Sequence, residues 1–314
     1  MASLSAVRCA ACPRPLPWAG MGTRFRRLAV LTVAVAALAA CSGGDDGPSG
    51  SAASSSSSVR SSASGGGSYL ALGDSVVFGY RGGEQLSAYA DTASFVGYPQ
   101  LVGERLGLDV VNASCPGETT TSFTDPAAPN LGCTNSPGSG VGFRTAYPLH
   151  VGYASRDQSQ LDYALGRLRK GGVKLVTLQV GANDAFLCQR STPDDCISEA
   201  GTVAATVSAN VDAILQRLRS DGGYDGRIAV VTYYALDYSD TAVAGATQTL
   251  DRGIAQAARD NDAVVVDGFA AFQSAAASAG GNSTTAGLVL PNDVHPTAKG
   301  QQLLAEAVES AIGG

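Results

Sequence analysis

The stretch YLALGDSVV, residues 69–77, decides how the folded part of the chain is organised. An apolar run at 69–72 breaks off into Gly73, Asp74 and Ser75. A short apolar run of this kind is typical of a strand buried on both faces of a parallel sheet. In such open sheets, ligands bind beyond the carboxyl ends of the strands. Ser75 is therefore predicted to lie exposed in a crevice at the edge of the sheet.

The same arrangement repeats along the rest of the chain. Other short runs rich in β-branched residues lie at 109–112, 174–180, 227–233 and 263–266. Amphipathic stretches separate them, at about 94–106, 157–170, 199–220, 243–260 and 297–312. In one of these, Leu161, Leu165 and Leu168 recur at helical spacing while polar residues take the other face. This alternation predicts a parallel sheet with helices on both sides.

Three further motifs fall at equivalent places. Gly117 follows the second predicted strand in VVNASCPGETT, and Gly181, Asn183 and Asp184 follow the third in LQVGANDAF. His295 precedes the last predicted helix in LPNDVHPTAKG. With Gly-Asp-Ser, these ordered motifs resemble the SGNH, or GDSL, family of esterases and lipases over residues 69–312. The resemblance implies a three-layer α/β sandwich with a flavodoxin-like, five-stranded parallel sheet, and carboxylic ester hydrolysis without cofactor or metal.

The chemistry of these residues agrees with that resemblance. A serine hydroxyl needs a base to become a good nucleophile, and imidazole is suited to this near neutral pH. Of the two histidines, His295 is predicted to be the base and His150 a structural loop residue. The resemblance assigns the oxyanion hole to the backbone N–H groups of Ser75 and Gly117 and the side-chain amide of Asn183. Asp74 and Asp184 are expected to organise their turns. The Gly-x-Ser-x-Gly elbow of the α/β-hydrolases is absent, which argues against that fold.

The acid of the predicted triad departs from the family pattern. The family usually places an aspartate three residues before the histidine, where this chain has Asn292. Asp293 stands one residue closer and is the favoured partner for His295, provided that the loop bends to suit. The alternative is that the main-chain carbonyl of Asn292 orients the imidazole, which would leave a Ser-His dyad.

Four cysteines lie in the predicted domain, and an even number in an exported chain favours disulfides. Three pairings are possible. Cys115–Cys133 and Cys188–Cys196 are favoured because each pair brackets a polar loop. A metal site is disfavoured because the ligand spacing is too wide.

The beginning of the chain predicts an export signal. A basic patch at 24–27 is followed by an uncharged run from Leu28 to Ala40 and the sequence LAAC, which resembles a bacterial lipobox ending at Cys41. We expect residues 1–41 to be a signal peptide, with Cys41 lipidated, and 42–68 to be a disordered Ser/Gly-rich tether. The hydrolase domain would then span 69–314, anchored to the extracytoplasmic side of the cell membrane. An ordinary signal peptide with an incidental cysteine is the alternative, and translation can start at Met1 or Met21.

Charge and motif content narrow the function. Five arginines and no acidic residue precede Cys41, so loss of this segment changes the formal charge from −6 to −11. No basic patch remains for nucleic acid. The leading prediction is a serine esterase acting on a lipid, acyl or acetyl ester, and the substrate that carries this ester can be a small molecule, a lipid or an acylated glycan. The alternative is a non-catalytic surface lipoprotein that uses the fold as a binding module, although Ser75, Asn183 and His295 are all retained.

Overall fold

A computed structural model describes residues 66–134 and 141–313 of the chain. The predicted signal peptide with Cys41 and the tether up to residue 65 lie outside the described residues. The first strand already begins at Ser68, one residue before the predicted start of the domain. Within the described ranges, no helix is both long and apolar enough to cross a membrane.

Within the described residues, five parallel strands form a single sheet in the order β2-β1-β3-β4-β5. This is the flavodoxin-like order, in which the chain reverses direction across the sheet between β1 and β3. Each strand coincides with one of the five apolar runs of the sequence. The strands are β1 (Ser68–Gly73), β2 (Asp109–Asn112), β3 (Val173–Gln179), β4 (Arg227–Val231) and β5 (Val264–Val266).

Helices connect the strands and cover both faces of the sheet. They are α1 (Ser75–Phe78), α2 (Leu86–Tyr89), α3 (Tyr98–Leu106), α4 (Phe143–Ala146), α5 (Gln160–Arg169), α6 (Ala182–Ser191), α7 (Ala200–Ser220), α8 (Thr241–Asp260), α9 (Gly268–Ala276) and α10 (Ala298–Gly313). Helices α3, α9 and α10 pack together, and α5, α7 and α8 form a second group. The five amphipathic stretches became α3, α5, α7, α8 and α10. The other five helices were not predicted. Helices α1, α2 and α4 have only four residues each, α6 begins directly at the Gly-Ala-Asn-Asp motif, and α9 is a short segment rich in alanine.

The register of the central strands determines where the site lies. All six residues of β1 are buried, and β1 ends level with β3 because Gly73 pairs with Gln179. The backbone N–H of Asp74 extends this pairing with a hydrogen bond of 3.2 Å to the Gln179 carbonyl. The residues that follow β1 and β3 therefore emerge together at the point where the strand order reverses.

Candidate active site

Ser75 is the first residue of α1, directly after the turn that ends β1. Asp74 is the N-cap of that helix, and one of its carboxylate oxygens accepts a hydrogen bond from Val76 N at 2.9 Å. The other oxygen accepts one from the Tyr233 hydroxyl at 2.6 Å. Burial raises the pKa of Asp74 to about 6, although both hydrogen bonds lower it. Asp74 thus organises the turn, as the sequence predicts.

His295 is hydrogen-bonded to Ser75 across 220 positions of sequence. Its Nε2 lies 2.9 Å from the Ser75 Oγ, and its Nδ1 lies 2.5 Å from Oδ1 of Asp293. The three side chains therefore form a continuous chain from hydroxyl to imidazole to carboxylate, which is the arrangement of a serine-hydrolase triad.

The turn before His295 explains how Asp293 reaches the imidazole. Asn292 adopts a left-handed conformation, with φ of 56°, and this bend brings the next carboxylate under the ring. Asp293 also accepts hydrogen bonds from Val294 N at 2.7 Å and from Gly82 N at 3.0 Å. Burial raises the pKa of Asp293, but the hydrogen bond and positive charge of His295 outweigh it, so the pKa falls to about 2. In this geometry Nδ1 is bonded to the carboxylate and not to the Asn292 carbonyl.

Neighbouring groups hold His295 in place, whereas His150 has no part in this chain of contacts. The Tyr80 ring packs edge-on against the His295 ring at 4.8 Å, and the Tyr234 hydroxyl donates to the Val294 carbonyl at 2.7 Å. His150 instead packs on the Phe78 ring at 4.5 Å, with its Nε2 at 3.0 Å from the Phe78 carbonyl oxygen. Burial lowers the pKa of His150. The structure gives His150 a packing role.

Gly117 and Asn183 lie at the same pocket as Ser75 and His295. Gly117 has φ of 84°, and a Cβ there would lie 2.5 Å from the Leu131 carbonyl carbon, so only glycine fits. Asn183 is buried in the first turn of α6 and donates from Nδ2 to the Glu118 carbonyl at 2.9 Å. Because an amide nitrogen carries two hydrogens, Asn183 keeps a second donor for a ligand.

Both elements that bear these groups are braced by further contacts. Asp184 accepts hydrogen bonds from the backbone N–H and the hydroxyl of Thr120, at 2.9 and 2.6 Å, which tie α6 to the Gly117 loop. Two disulfides lie in the part of the chain that the structure describes: Cys115–Cys133 closes that loop, and Cys188–Cys196 joins the end of α6 to the segment after it. This is the pairing that the sequence favours.

The pocket has a volume of about 700 Å³. Its lining is largely apolar and includes Tyr80, Phe143, Tyr147, Phe186, Val243 and Leu250. Sequence reasoning did not find Tyr233, which lines the pocket and donates to Asp74, or Glu118 and Gln160, which lie outside the pocket lining. Nothing in their spacing distinguishes them from ordinary core or surface residues, since their partners are distant in sequence.

The fold and the site together define a carboxylic ester hydrolase of the SGNH type. The sequence model of the GDSL-like lipase/acylhydrolase family matches residues 71–303, and the chain belongs to that family. No curated protein matches the chain.

Two solved structures illustrate the shared fold. Phospholipase A1 from Streptomyces albidoflavus NA297 is 20% identical, with a TM-score of 0.55, over 78% of this chain and 99% of that chain. A catalytic mutant of Axe2, an acetylxylan esterase from Geobacillus stearothermophilus, is 16% identical, with a TM-score of 0.51, over 79% and 95% of the two chains. Both likenesses show the fold.

Proposed function

We propose that the protein hydrolyses carboxylic esters through an acyl-enzyme on Ser75, with His295 as general base. The observation that carries this proposal is the hydrogen-bonded chain from Ser75 through His295 to Asp293. His295 Nε2 accepts the proton of Ser75 as Oγ attacks the ester carbonyl carbon. The same imidazolium then protonates the departing alkoxide, which leaves the acyl group on Ser75. Water activated by the neutral imidazole completes the hydrolysis and regenerates the serine.

Asp293 has an orienting role in this mechanism. Its carboxylate holds Nδ1–H, so Nε2 faces the serine as an acceptor, and it stabilises the imidazolium once the proton has moved. The low pKa of Asp293, about 2, keeps this charge in place throughout the working range of pH. The negative oxygen of the tetrahedral intermediate would be met by the N–H groups of Ser75 and Gly117 and by Asn183 Nδ2.

The pocket favours an ester with an extended apolar acyl chain. Two walls supply its apolar surface: an aromatic wall containing Tyr80, Phe143 and Tyr147, and a helical wall of α6 and α8 containing Phe186 and Leu250. Burial of apolar surface contributes about 25 cal/mol per Å², so each added methylene increases affinity until the walls are filled. We expect butanoyl and octanoyl esters to be better substrates than acetyl esters.

Active-site labelling tests the mechanism. A fluorophosphonate probe should label the purified domain, and the label should disappear in Ser75→Ala while the circular dichroism spectrum is unchanged. p-Nitrophenyl butanoate should give a pre-steady-state burst stoichiometric with enzyme. A folded wild-type protein that gives neither label nor turnover would instead support the binding-module alternative.

Narrowing the helical wall tests the substrate class. Ala246 lines the pocket from α8, and Ala246→Phe should reduce kcat/KM for octanoyl esters more than for acetyl esters. Gln248→Phe places the same side chain on α8 at an exposed position outside the pocket lining, and it should leave the ratio unchanged. An equal effect of both substitutions would contradict the assigned acyl site.

We further propose that the precursor is exported and anchored through a lipid on Cys41. The lipobox-like LAAC and the basic, then apolar, leader support this. Cells that express the full precursor should incorporate labelled palmitate and retain the protein in the membrane fraction. Cys41→Ala should abolish the incorporation, whereas labelling that survives this substitution would refute lipidation at Cys41.

A further inference from the structure

Gln160 mimics a peptide group at the end of β1. It is the first residue of α5, after the N-cap Ser159, and only 1% of it is exposed. Its Oε1 accepts a hydrogen bond from Gly73 N at 2.6 Å, and its Nε2 donates to the Gly73 carbonyl at 3.0 Å. Gly73 lies two residues before Ser75. One side chain thereby binds both backbone groups of the residue from which the nucleophile turn starts.

The same amide also binds the loop that carries Gly117. Gln160 Nε2 donates to Oε2 of the buried Glu118 at 3.0 Å, and the Ser122 hydroxyl donates to the other carboxylate oxygen at 2.5 Å. The main-chain carbonyl of Glu118 accepts the hydrogen bond from Asn183 Nδ2. Glu118 is therefore held through both its side chain and its main chain, and it links the Gly117 loop to Asn183 on α6.

We infer that Gln160 and Glu118 are positioning residues that fix the three oxyanion donors relative to one another, an inference that rests on the proposed function. Gln160 holds the turn before Ser75, Glu118 directly follows Gly117, and the Glu118 carbonyl orients Asn183. Donors of this kind contribute most when they need no reorganisation as charge develops. Neither Gln160 nor Glu118 needs to touch the substrate for this effect.

The charge on Glu118 bears on the oxyanion hole because Glu118 directly follows Gly117 and its main-chain carbonyl accepts a hydrogen bond from Asn183 Nδ2. The titratable groups that face it are Asp74, Arg144 and Tyr153. Arg144 donates instead to the main-chain carbonyls of residues 155 and 158, at 2.7 Å each, and the Tyr153 hydroxyl donates to the Ala113 carbonyl. Within the described residues, no lysine or arginine donates to the Glu118 carboxylate. An ionised Glu118 would therefore oppose the negative oxygen of the intermediate.

Burial raises the pKa of Glu118 to about 7, although the hydrogen bonds from Ser122 and Gln160 lower it. Glu118 is then neutral at mildly acidic pH and ionised at alkaline pH. Because the ionised form opposes the negative oxygen of the intermediate, kcat should fall as the pH rises through about 7. Glu118→Gln keeps an acceptor for Gln160 and has no charge, so its kcat should fall less at alkaline pH.

Steady-state kinetics on the whole domain test the positioning role. Methionine at position 160 has a similar length to glutamine but makes no hydrogen bonds. Gln160→Met should therefore lower kcat by about 10- to 100-fold and change KM less than threefold. This loss of kcat is smaller than the ~10²–10³-fold loss that follows deletion of an oxyanion donor. Thr177→Val is the matched control, because Thr177 hydrogen-bonds Tyr69 within the sheet at 2.7 Å and touches none of these loops. It should lose stability but keep kcat.

The pH profile of Glu118→Gln supplies the second readout. The ratio of its kcat to that of the wild type should rise several-fold between pH 6 and pH 9. A Gln160→Met variant with the kcat of Thr177→Val would overturn the positioning role, and superimposable pH profiles would overturn the electrostatic part. If Gln160→Met does not fold, Gln160→Glu, which keeps the acceptor for Gly73 N but loses the donor to the Gly73 carbonyl, takes its place in the kcat comparison with Thr177→Val. Ser75-dependent labelling of the wild type separates these results from failure of the proposed function.

Discussion

Ser75 and Asn183 follow the ends of β1 and β3, whereas His295 lies in an irregular turn ahead of α10. These two regions of the active site are stabilised by different kinds of contact. We call the surroundings of Ser75, Gly117 and Asn183 the donor side. The side chains that support these residues are buried. They bind one another across long sequence separations, as Gln160 does with Gly73 and Glu118. A disulfide closes the loop that carries Gly117.

The turn at residues 288–297, which we call the base side, is held mostly by local contacts. Leu290 N donates to the His295 carbonyl, and Thr297 N donates to the Leu288 carbonyl. The side chains of His295 and Asp293 are 14% and 17% exposed. Gly82 N and the Tyr234 hydroxyl add the long-range contacts.

This difference follows from what each side has to do. Oxyanion donors stabilise charge best when they are fixed before it appears. A general base must take a proton from one group and deliver it to another, so it needs access to the leaving group and to water. We therefore expect substitutions on the base side to remove chemistry with little effect on folding, and substitutions behind the donor side to affect both.

The largest expected effect comes from the base itself. His295→Ala should lower kcat by about 10⁴-fold or more, as removal of a triad member does elsewhere. Because the His295 side chain is partly exposed, the melting temperature should change by no more than a few degrees. Steady-state kinetics and calorimetry on the same preparation check both. A large loss of stability would contradict the proposed independence of the base side.

Asp293→Ala should lower kcat by roughly 10³- to 10⁴-fold, because the imidazole loses its orienting acceptor. Asn292→Ala is the comparison, since it leaves the carboxylate in place but puts a less suitable residue into the left-handed conformation. It should cost much less activity. A loss below about tenfold in Asp293→Ala would instead favour the Asn292 carbonyl as the orienting group, given the usual cost of losing a triad acid.

On the donor side, Asn183→Ala should reduce kcat by about 10²- to 10³-fold with a small change in KM. The variant also frees the Glu118 carbonyl, so its stability should fall as well. Asn183→Asp offers a sharper comparison, because it keeps the size of the side chain but replaces the donor with an acceptor. Activity in Asn183→Asp close to that of wild type would exclude Asn183 as an oxyanion donor.

The disulfides test stability on the donor side. Cys115–Cys133 spans 18 residues and Cys188–Cys196 spans 8, so loss of the first should cost more, about 3 kcal/mol against about 2.5 kcal/mol by loop entropy. Urea unfolding of the double-serine variants of each pair measures both. Only the Cys115/Cys133 variant should also lose kcat, because its loop carries Gly117. An unchanged kcat would show that the buried hydrogen bonds suffice.

An effect on stability alone is expected at Asp251, which accepts a hydrogen bond from the backbone of Tyr233. Its Oδ1 accepts a hydrogen bond from Tyr233 N at 2.8 Å, and its Oδ2 has no hydrogen-bond partner among the described residues. Burial raises its pKa to about 8. The folded state thus keeps a proton that the unfolded state loses above about pH 4, so this group lowers stability as pH rises to about 8. Asp251→Asn should therefore raise Tm at pH 8 more than at pH 4.5. Parallel Tm curves would contradict the buried, neutral state.

Much of this architecture could be predicted because the relevant signals are local. The five strands are apolar runs, and the Gly-Asp-Ser and Gly-Ala-Asn-Asp motifs directly follow two of them. The same locality placed His295 ahead of the last helix. The structure then puts Ser75, Gly117, Asn183 and His295 around a single pocket.

The rest depended on contacts that no local pattern encodes. Gln160 resembles an ordinary polar helix start, and Glu118 resembles a loop acid, until the fold brings them together behind Gly73. The role of Asp293 depended on whether Asn292 adopts a left-handed conformation, a backbone choice that sequence permits but does not dictate. Tyr233 reaches Asp74 across 159 positions.

The pairing of Gln160 with Glu118 also carries an evolutionary consequence. Glutamate at position 160 would lack the donor for the Gly73 carbonyl, and asparagine would be one methylene too short to reach it. Descendants of this sequence should thus keep glutamine at 160 for as long as 118 is acidic. Where one of these two positions is substituted, the other should be substituted as well. Positions 118 and 160 should therefore covary among sequences related to this one.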